Sequence, residues 1–228
     1  MQTFLTLPYE KPTALPSDFD GDPRTPPSYV EHFLTRRTEP GDVVFDPFAG
    51  FGTTLAVGEE LEREVYGVEY EYERAEFIKD RISHPERVVR GSALELPSFD
   101  LPQADCCFTS PPYMVEGMDV DPFRNYADNS GTTYEGYLDA IETVFASVGE
   151  IVDPDGTVLV DVANMRHDGR VTTLAWDVAD AVAATFEFRG EVVVGWENED
   201  RNANNAEDGA YGYGYDHSYC LVFDAASQ

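Results

Sequence analysis

Apolar residues are distributed along this chain in two alternating patterns. Short continuous apolar runs alternate with longer stretches in which apolar positions recur three and four residues apart. The short runs predict strands at 42–45, 65–68, 87–90, 104–108, 157–162, 192–196 and 219–223. The longer stretches predict helices at 29–37, 53–63, 72–83, 134–152 and 173–185. In the helix at 134–152 the periodic set is Tyr137, Leu138, Ile141, Val144, Phe145 and Val148; at 72–83 it is Ala75, Phe77, Ile78 and Ile82. Ser28 is the expected N-cap of the first helix, Pro40-Gly41 its stop, and residues 153–156 (Asp-Pro-Asp-Gly) a turn. Apolar strands separated by helices are the pattern of a parallel, doubly wound sheet with helices on both faces.

Two segments, 114–133 and 197–218, interrupt the alternation. Each follows the carboxyl end of a predicted strand, where open α/β sheets hold ligands. Loops this long inside a compact domain are usually functional or disordered. Before the first helix lie residues 1–27, rich in proline (Pro8, Pro12, Pro16, Pro23, Pro26, Pro27), which read as an extended arm. Residues 28–228 read as a single domain.

Composition narrows the class. With 42% apolar residues the 228-residue chain is a folded globular protein. No apolar run approaches the ~20 residues that span a bilayer, and no signal peptide is legible at the start. Cys106, Cys107 and Cys220 do not form a disulfide framework or zinc pattern, and the adjacent pair reads as core. A reducing cytoplasm is the expected compartment. His167 and His217 stand alone in sequence, and no metal is expected.

Charge is the unusual feature: 44 acidic residues against 15 basic ones, a net of −29. A nucleic-acid binder ordinarily carries a basic face. Here the acids are spread along the whole chain and lysine occurs only at Lys11 and Lys79, the composition of a halophile's solvated surface, as in salt-loving archaea. In molar salt the Debye length is ~3 Å, so an anionic partner remains compatible with this charge.

Two motifs carry chemistry. The first is Asp46-Pro47-Phe48-Ala49-Gly50-Phe51-Gly52-Thr53-Thr54, between a predicted strand and helix. Its glycines allow close backbone approach to a ligand, the helix start offers free amides, and Glu69 at the end of the next strand suits a pair of ribose hydroxyls. The second is Thr109-Ser110-Pro111-Pro112-Tyr113 after the strand at 104–108. Two prolines remove two donors and stiffen the chain, leaving carbonyls, a hydroxyl and a flat ring to grip a planar amino-bearing ring. Taken alone, this motif fits equally well a strand followed by a rigid turn with an exposed tyrosine.

Together the motifs resemble those of the S-adenosylmethionine-dependent amino-methyltransferases of DNA. Residues 46–54 are similar to the family's cofactor motif, and Ser110 to Tyr113 to its catalytic motif in the Ser-Pro-Pro-Tyr form typical of cytosine-N4 enzymes. The resemblance covers roughly residues 28–165. It implies the Rossmann-like class I methyltransferase fold with a mostly parallel seven-stranded sheet, S-adenosylmethionine as cofactor, and double-stranded DNA with the target base flipped out as substrate. By the same resemblance Ser110, Pro111, Pro112 and Tyr113 are catalytic. Asp46, Pro47, Phe48, Ala49, Gly50, Gly52, Thr53, Glu69 and Ser92 hold the cofactor. Ser92 departs from the family, which often has Asp there; Glu95 is the nearby acid that would replace it. Tyr126, Arg124 and Arg166 are candidate base and phosphate contacts, with residues 114–133 and 197–218 as the elements that read the target site. A cognate restriction enzyme is an implied partner.

The implied chemistry is positioning plus electrostatics. Amino protons donated to Ser110 and to a carbonyl of Ser110 or Pro111 favour a tetrahedral nitrogen whose lone pair attacks the methyl in line. Tyr113 stacks on the base. No Pro-Cys pair occurs, which disfavours carbon-5 methylation of cytosine. Three other readings remain open: an RNA amino-methyltransferase of the tRNA guanine-N2 type, an adenine-N6 DNA enzyme, and a non-catalytic cofactor-binding partner.

Overall fold

The computed structural model describes residues 2–9, 15, 24–124, 127–128, 131–167, 169–197 and 217–226. In chain order the elements are β1 (Phe4–Leu7), α1 (Pro27–Arg37), β2 (Val43–Asp46), α2 (Thr53–Glu60), β3 (Glu64–Glu69) and α3 (Tyr72–Lys79). There follow β4 (Val88–Arg90), β5 (Ala104–Thr109), β6 (Val120–Asp121), β7 (Ala127–Asp128), α4 (Tyr134–Ile151) and β8 (Val152–Val162). The chain continues through β9 (Met165–His167), β10 (Arg170–Thr172), α5 (Leu174–Ala183), β11 (Phe186–Trp196) and β12 (His217–Ala225). Among the described residues no helix is long and apolar enough to cross a membrane.

The central sheet has the order β1-β11-β12-β8-β5-β2-β3-β4. Only β12 runs antiparallel to its neighbours, so the sheet is mostly parallel, as expected. Seven of its strands are those the apolar runs predict. The eighth, β1, comes from inside the proline-rich arm and pairs in parallel with β11 from Phe4↔Val193 to Leu7↔Trp196. No alternation marks this segment, because an edge strand needs only one paired side. The chain runs β2, β3, β4 toward one edge and then returns to place β5 on the other side of β2. That reversal opens a crevice at the carboxyl ends of β2 and β5, the ends that carry the two motifs.

Helices cover both faces. α1, α2 and α3 pack with Val44, Val65, Cys106 and Phe108 on one side; α4 and α5 pack with Phe45, Cys107, Val158 and Val160 on the other. Successive strand residues thus enter opposite cores, and the adjacent Cys106 and Cys107 are fully buried, one on each face. In α4 the buried residues are Tyr137, Ile141, Val144, Phe145 and Val148, the periodic set seen in the sequence except for Leu138, which is half-buried, and Thr133 Oγ1 caps the helix by accepting from the Gly136 amide at 3.1 Å.

Boundaries differ in three instructive places. α1 begins at Pro27, not after Ser28; proline suits a first helical position because its missing amide would be unpaired there, and the Ser28 hydroxyl donates instead to the Pro8 carbonyl at 2.7 Å. α2 stops at Glu60, before the expected 63, because Glu62 takes a left-handed φ of 65° and the Arg63 amide turns back to the Gly58 carbonyl at 2.9 Å. The expected turn at 153–156 survives as a bulge within β8: Ala104 pairs with Val152, but Cys106 pairs with Thr157.

Candidate active site

At the end of β2 the Asp46 carboxylate is 3% exposed and shapes the turn that follows. Its Oδ1 accepts from the Phe48 amide at 3.0 Å and from the Thr109 hydroxyl at 2.6 Å, which ties the end of β5 to the end of β2. Burial pushes this carboxyl up to about 6, against the pull of the Thr109, Phe48 and Thr54 hydrogen bonds. Gly50 and Gly52 take φ of 55° and 76°. Gly52 caps α2, and a Cβ there would lie 2.9 Å from Ile78 Cγ1 and Cγ2, so both backbone conformation and space exclude a side chain.

Glu69 ends β3 and is 7% exposed. Its Oε2 accepts from the Gly50 amide and its Oε1 from the Glu71 amide, both at 2.8 Å. Burial pushes its carboxyl up, partly offset by those amides and by Arg74. A carboxylate has roughly four acceptor positions, so two such bonds leave capacity for a diol. Farther along the same rim, Ser92 Oγ accepts from the Leu94 amide at 3.3 Å.

Ser110 to Tyr113 continue from β5 directly across from the glycine turn. Pro111 is buried, while Ser110, Pro112 and Tyr113 are half-buried. The two motifs open into one cavity of about 500 Å³. Of the residues expected to hold a cofactor, Asp46, Pro47, Phe48, Ala49, Gly50, Thr53, Glu69 and Ser92 line it, as do all four of Ser110, Pro111, Pro112 and Tyr113. Gly52 does not; it faces Ile78 and serves the turn.

Other residues singled out in the sequence do not line this cavity. Glu95 is exposed and does not line the cavity, so it does not replace the acid that Ser92 lacks. Arg124 is exposed and Arg166 half-buried, and neither lines the cavity. Their neighbours Pro122, Phe123 and Met165 do line it, so both cations stand beside the crevice and not in its wall, a distinction no spacing rule could make. Tyr126 lies outside the described residues.

The structure also adds residues. Arg24, Thr25 and Pro26 of the arm line the cavity, and the Thr25 hydroxyl donates to Asp161 Oδ2 at 2.6 Å. Asp161, near the end of β8, lines the cavity beside Tyr113, whose hydroxyl donates weakly to the Asp161 carbonyl at 3.4 Å. A lone acid in the apolar run Val158 to Val162 was the sequence signal for it. Trp196 and His217, at the ends of β11 and β12, complete this wall. His217, isolated in sequence, lies with Nε2 3.1 Å from the Tyr219 hydroxyl. At the other end two guanidiniums approach the Phe51 ring, Arg74 at 4.8 Å and Arg24 at 5.7 Å from its centre. The cavity thus holds four carboxylates (Asp46, Glu69, Glu71, Asp161) against Arg24 and Arg74.

Comparison with known proteins adds to this geometry. Residues 22–80, from the arm through α3, match the N6/N4-type DNA methylase family model. The chain is 46% identical over 48 residues to the Type II methyltransferase M.BglII of Bacillus subtilis, a match covering 21% of this chain and 13% of that protein. It is 41% identical over 58 residues to the Type II methyltransferase M.BamHI of Bacillus amyloliquefaciens, covering 25% of this chain and 13% of that protein. Among solved structures, TrmN from Thermus thermophilus superposes with a TM-score of 0.60 at 18% identity, over 89% of this chain and 49% of that one. The glycopeptide N-methyltransferase MtfA, complexed with sinefungin, superposes with a TM-score of 0.57 at 14% identity, over 99% of this chain and 93% of that one. The chain has the Rossmann-like α/β fold of S-adenosylmethionine-dependent methyltransferases, and its glycine-turn region is similar in sequence to DNA methylases.

Proposed function

We propose that this chain transfers a methyl group from S-adenosylmethionine to the exocyclic amino group of a base in DNA, with cytosine N4 in a short sequence as the favoured target. One observation carries the reading: the glycine turn with Glu69, and the Ser110–Tyr113 motif, line the same cavity from adjacent strand ends. The matches to two Type II methyltransferases support DNA as the substrate, and the Ser-Pro-Pro-Tyr form favours cytosine over adenine.

The residues present fit the cofactor. Gly50, without a side chain, leaves space beside the turn, the Glu69 carboxylate retains acceptor capacity for ribose hydroxyls, and a cavity with more carboxylates than guanidiniums suits a cationic ligand. Bound there, S-adenosylmethionine supplies an electrophilic methyl on a sulfonium. Asp46, held between Phe48 and Thr109, keeps the turn and the catalytic motif in fixed relation. Ser110 and a neighbouring carbonyl accept the amino protons of the target base and so turn its nitrogen lone pair toward the methyl. Tyr113 supports the base by stacking. Pro111 and Pro112, which lack amide hydrogens, keep competing donors away from those acceptors. Such positioning contributes several kcal/mol to barrier lowering.

The deciding experiment incubates purified protein in molar salt with methyl-labelled cofactor and with genomic DNA or total RNA. Label in DNA as N4-methylcytosine is the expected result. N6-methyladenine would move the target atom, label confined to RNA would replace the substrate, and no label in either would end the catalytic reading. Modification-sensitive sequencing of host DNA then identifies the recognised site, and a nuclease cutting the same site would be the cognate partner.

A further inference from the structure

We infer that the β9–β10 hairpin and the Trp176 corner behind it form the platform on which the nucleic-acid strand carrying the target base docks. The inference rests on the DNA reading above and assigns that substrate a path into the cavity.

Position comes first. The hairpin begins at Met165, just beyond the carboxyl end of β8 at Val162, and Met165 at its base lines the cavity. Its far strand is joined to the segment that follows Tyr113: the Glu116 amide donates to Thr172 Oγ1 at 3.3 Å, and a Cβ on Gly117 would lie 3.8 Å from His167 Cδ2. Hairpin and segment therefore make one continuous rim, and a strand delivering a base to Ser110–Tyr113 from this side must cross it.

Charge is the second observation. In a chain of net −29, the hairpin carries Arg166, His167 and Arg170 against Asp168 alone. Arg170 is exposed. Glu116 and Asp177 lie close by in sequence or contact, so the platform is mixed, and it suits a few phosphate contacts, not a long electrostatic track.

The third observation is aromatic. From His217 in the cavity wall a file of rings leads outward: His217 meets Tyr219 edge-on with centroids 5.2 Å apart, and Tyr219 meets Trp176 at 5.2 Å. Trp176 is 39% exposed and Val171 on the hairpin 43% exposed. An outward indole in the first turn of α5, directly after a hairpin that carries two guanidiniums, combines what a nucleic-acid strand needs: cations for phosphates and a flat face for a base next to the displaced one.

The test measures binding of a fluorescein-labelled mixed-sequence DNA duplex by anisotropy across a KCl series, with cofactor affinity measured separately by calorimetry. The double variant R166Q/R170Q should weaken duplex binding several-fold and flatten the slope of log affinity against log salt by about two. Trp176→Ala should weaken binding about tenfold with the slope unchanged. Both should bind S-adenosylmethionine like wild type, as should Arg189→Gln, a control at the opposite, amino-terminal end of β11 that should also leave duplex binding unaltered. Wild-type affinity and slope in R166Q/R170Q, alongside wild-type methylation of DNA, would overturn the platform alone. Failure of the wild-type protein to bind or methylate the duplex would overturn the platform together with the DNA reading. Self-association in sedimentation velocity that these variants abolish, with duplex binding intact, would assign the face to a second copy of the chain instead.

Discussion

The two walls of the cavity are built by different kinds of contact. On the cofactor side, residues close in sequence hold each other: Asp46 binds the amide two residues on, and Glu69 binds Gly50 across 19 positions. On the side proposed for the base, Thr25 reaches Asp161 across 136 positions and Tyr113 reaches it across 48, while Trp196 and His217 come from the ends of β11 and β12. One wall is a strand–turn–helix unit that any chain of this fold can assemble locally. The other exists only when the arm, β8, β11 and β12 are all in place. The contrast suggests that cofactor binding and chemistry are separable by mutation.

The largest expected effect tests that separation. Ser110→Ala should lower methyl transfer by roughly 100-fold or more while calorimetric affinity for S-adenosylmethionine stays near wild type. A parallel loss of cofactor affinity would show the walls to be one unit. Asp46, the residue that joins them, gives a pH signature. Its carboxyl is raised to about 6 from an ordinary 3.8, so the folded chain keeps a proton that the unfolded chain has released between those values. Its contribution to stability is therefore greatest in acid and falls as pH rises through that window. Relative to Asp46→Asn, wild type should lose about 3 kcal/mol between pH ~4 and ~6 in denaturant titrations.

Gly52→Ala probes the local wall through backbone strain. With φ at 76° and Ile78 in the way, it should cost about 1–3 kcal/mol in urea melts. Glu69→Gln should weaken cofactor binding roughly tenfold, one charged acceptor having become a neutral one. The smallest effect belongs to the arm: Thr25→Val should cost about 1 kcal/mol, read as a higher KM for DNA with cofactor affinity unchanged. An equal loss of both affinities would mean that the arm braces the whole cavity and not one wall.

Much of the fold was legible because strands and helices write their burial into periodicity. The buried set of α4 was readable but for Leu138, which is half-buried, and so was the placement of Cys106 and Cys107 in core. The cofactor motif and the Ser110–Tyr113 motif were legible for another reason: positive φ and paired prolines restrict residue choice locally. β1 was not legible, since a short edge strand inside a proline-rich segment has no second apolar face to announce it. Arg124 and Arg166 show the limit of reasoning from residue type, because a cation in a loop can point to rim or wall alike.

By itself, then, the sequence determined the alternation of elements, the turn that glycine makes possible, and the stiff hydroxyl-and-ring motif after β5. These depend on neighbours a few bonds away. Only the tertiary structure decided that both motifs face one cavity, that Thr25 meets Asp161, and that His217 leads through Tyr219 to an exposed Trp176. Contacts between distant segments are set by the order and register of strands in the sheet, and that order leaves no periodic trace in a single chain.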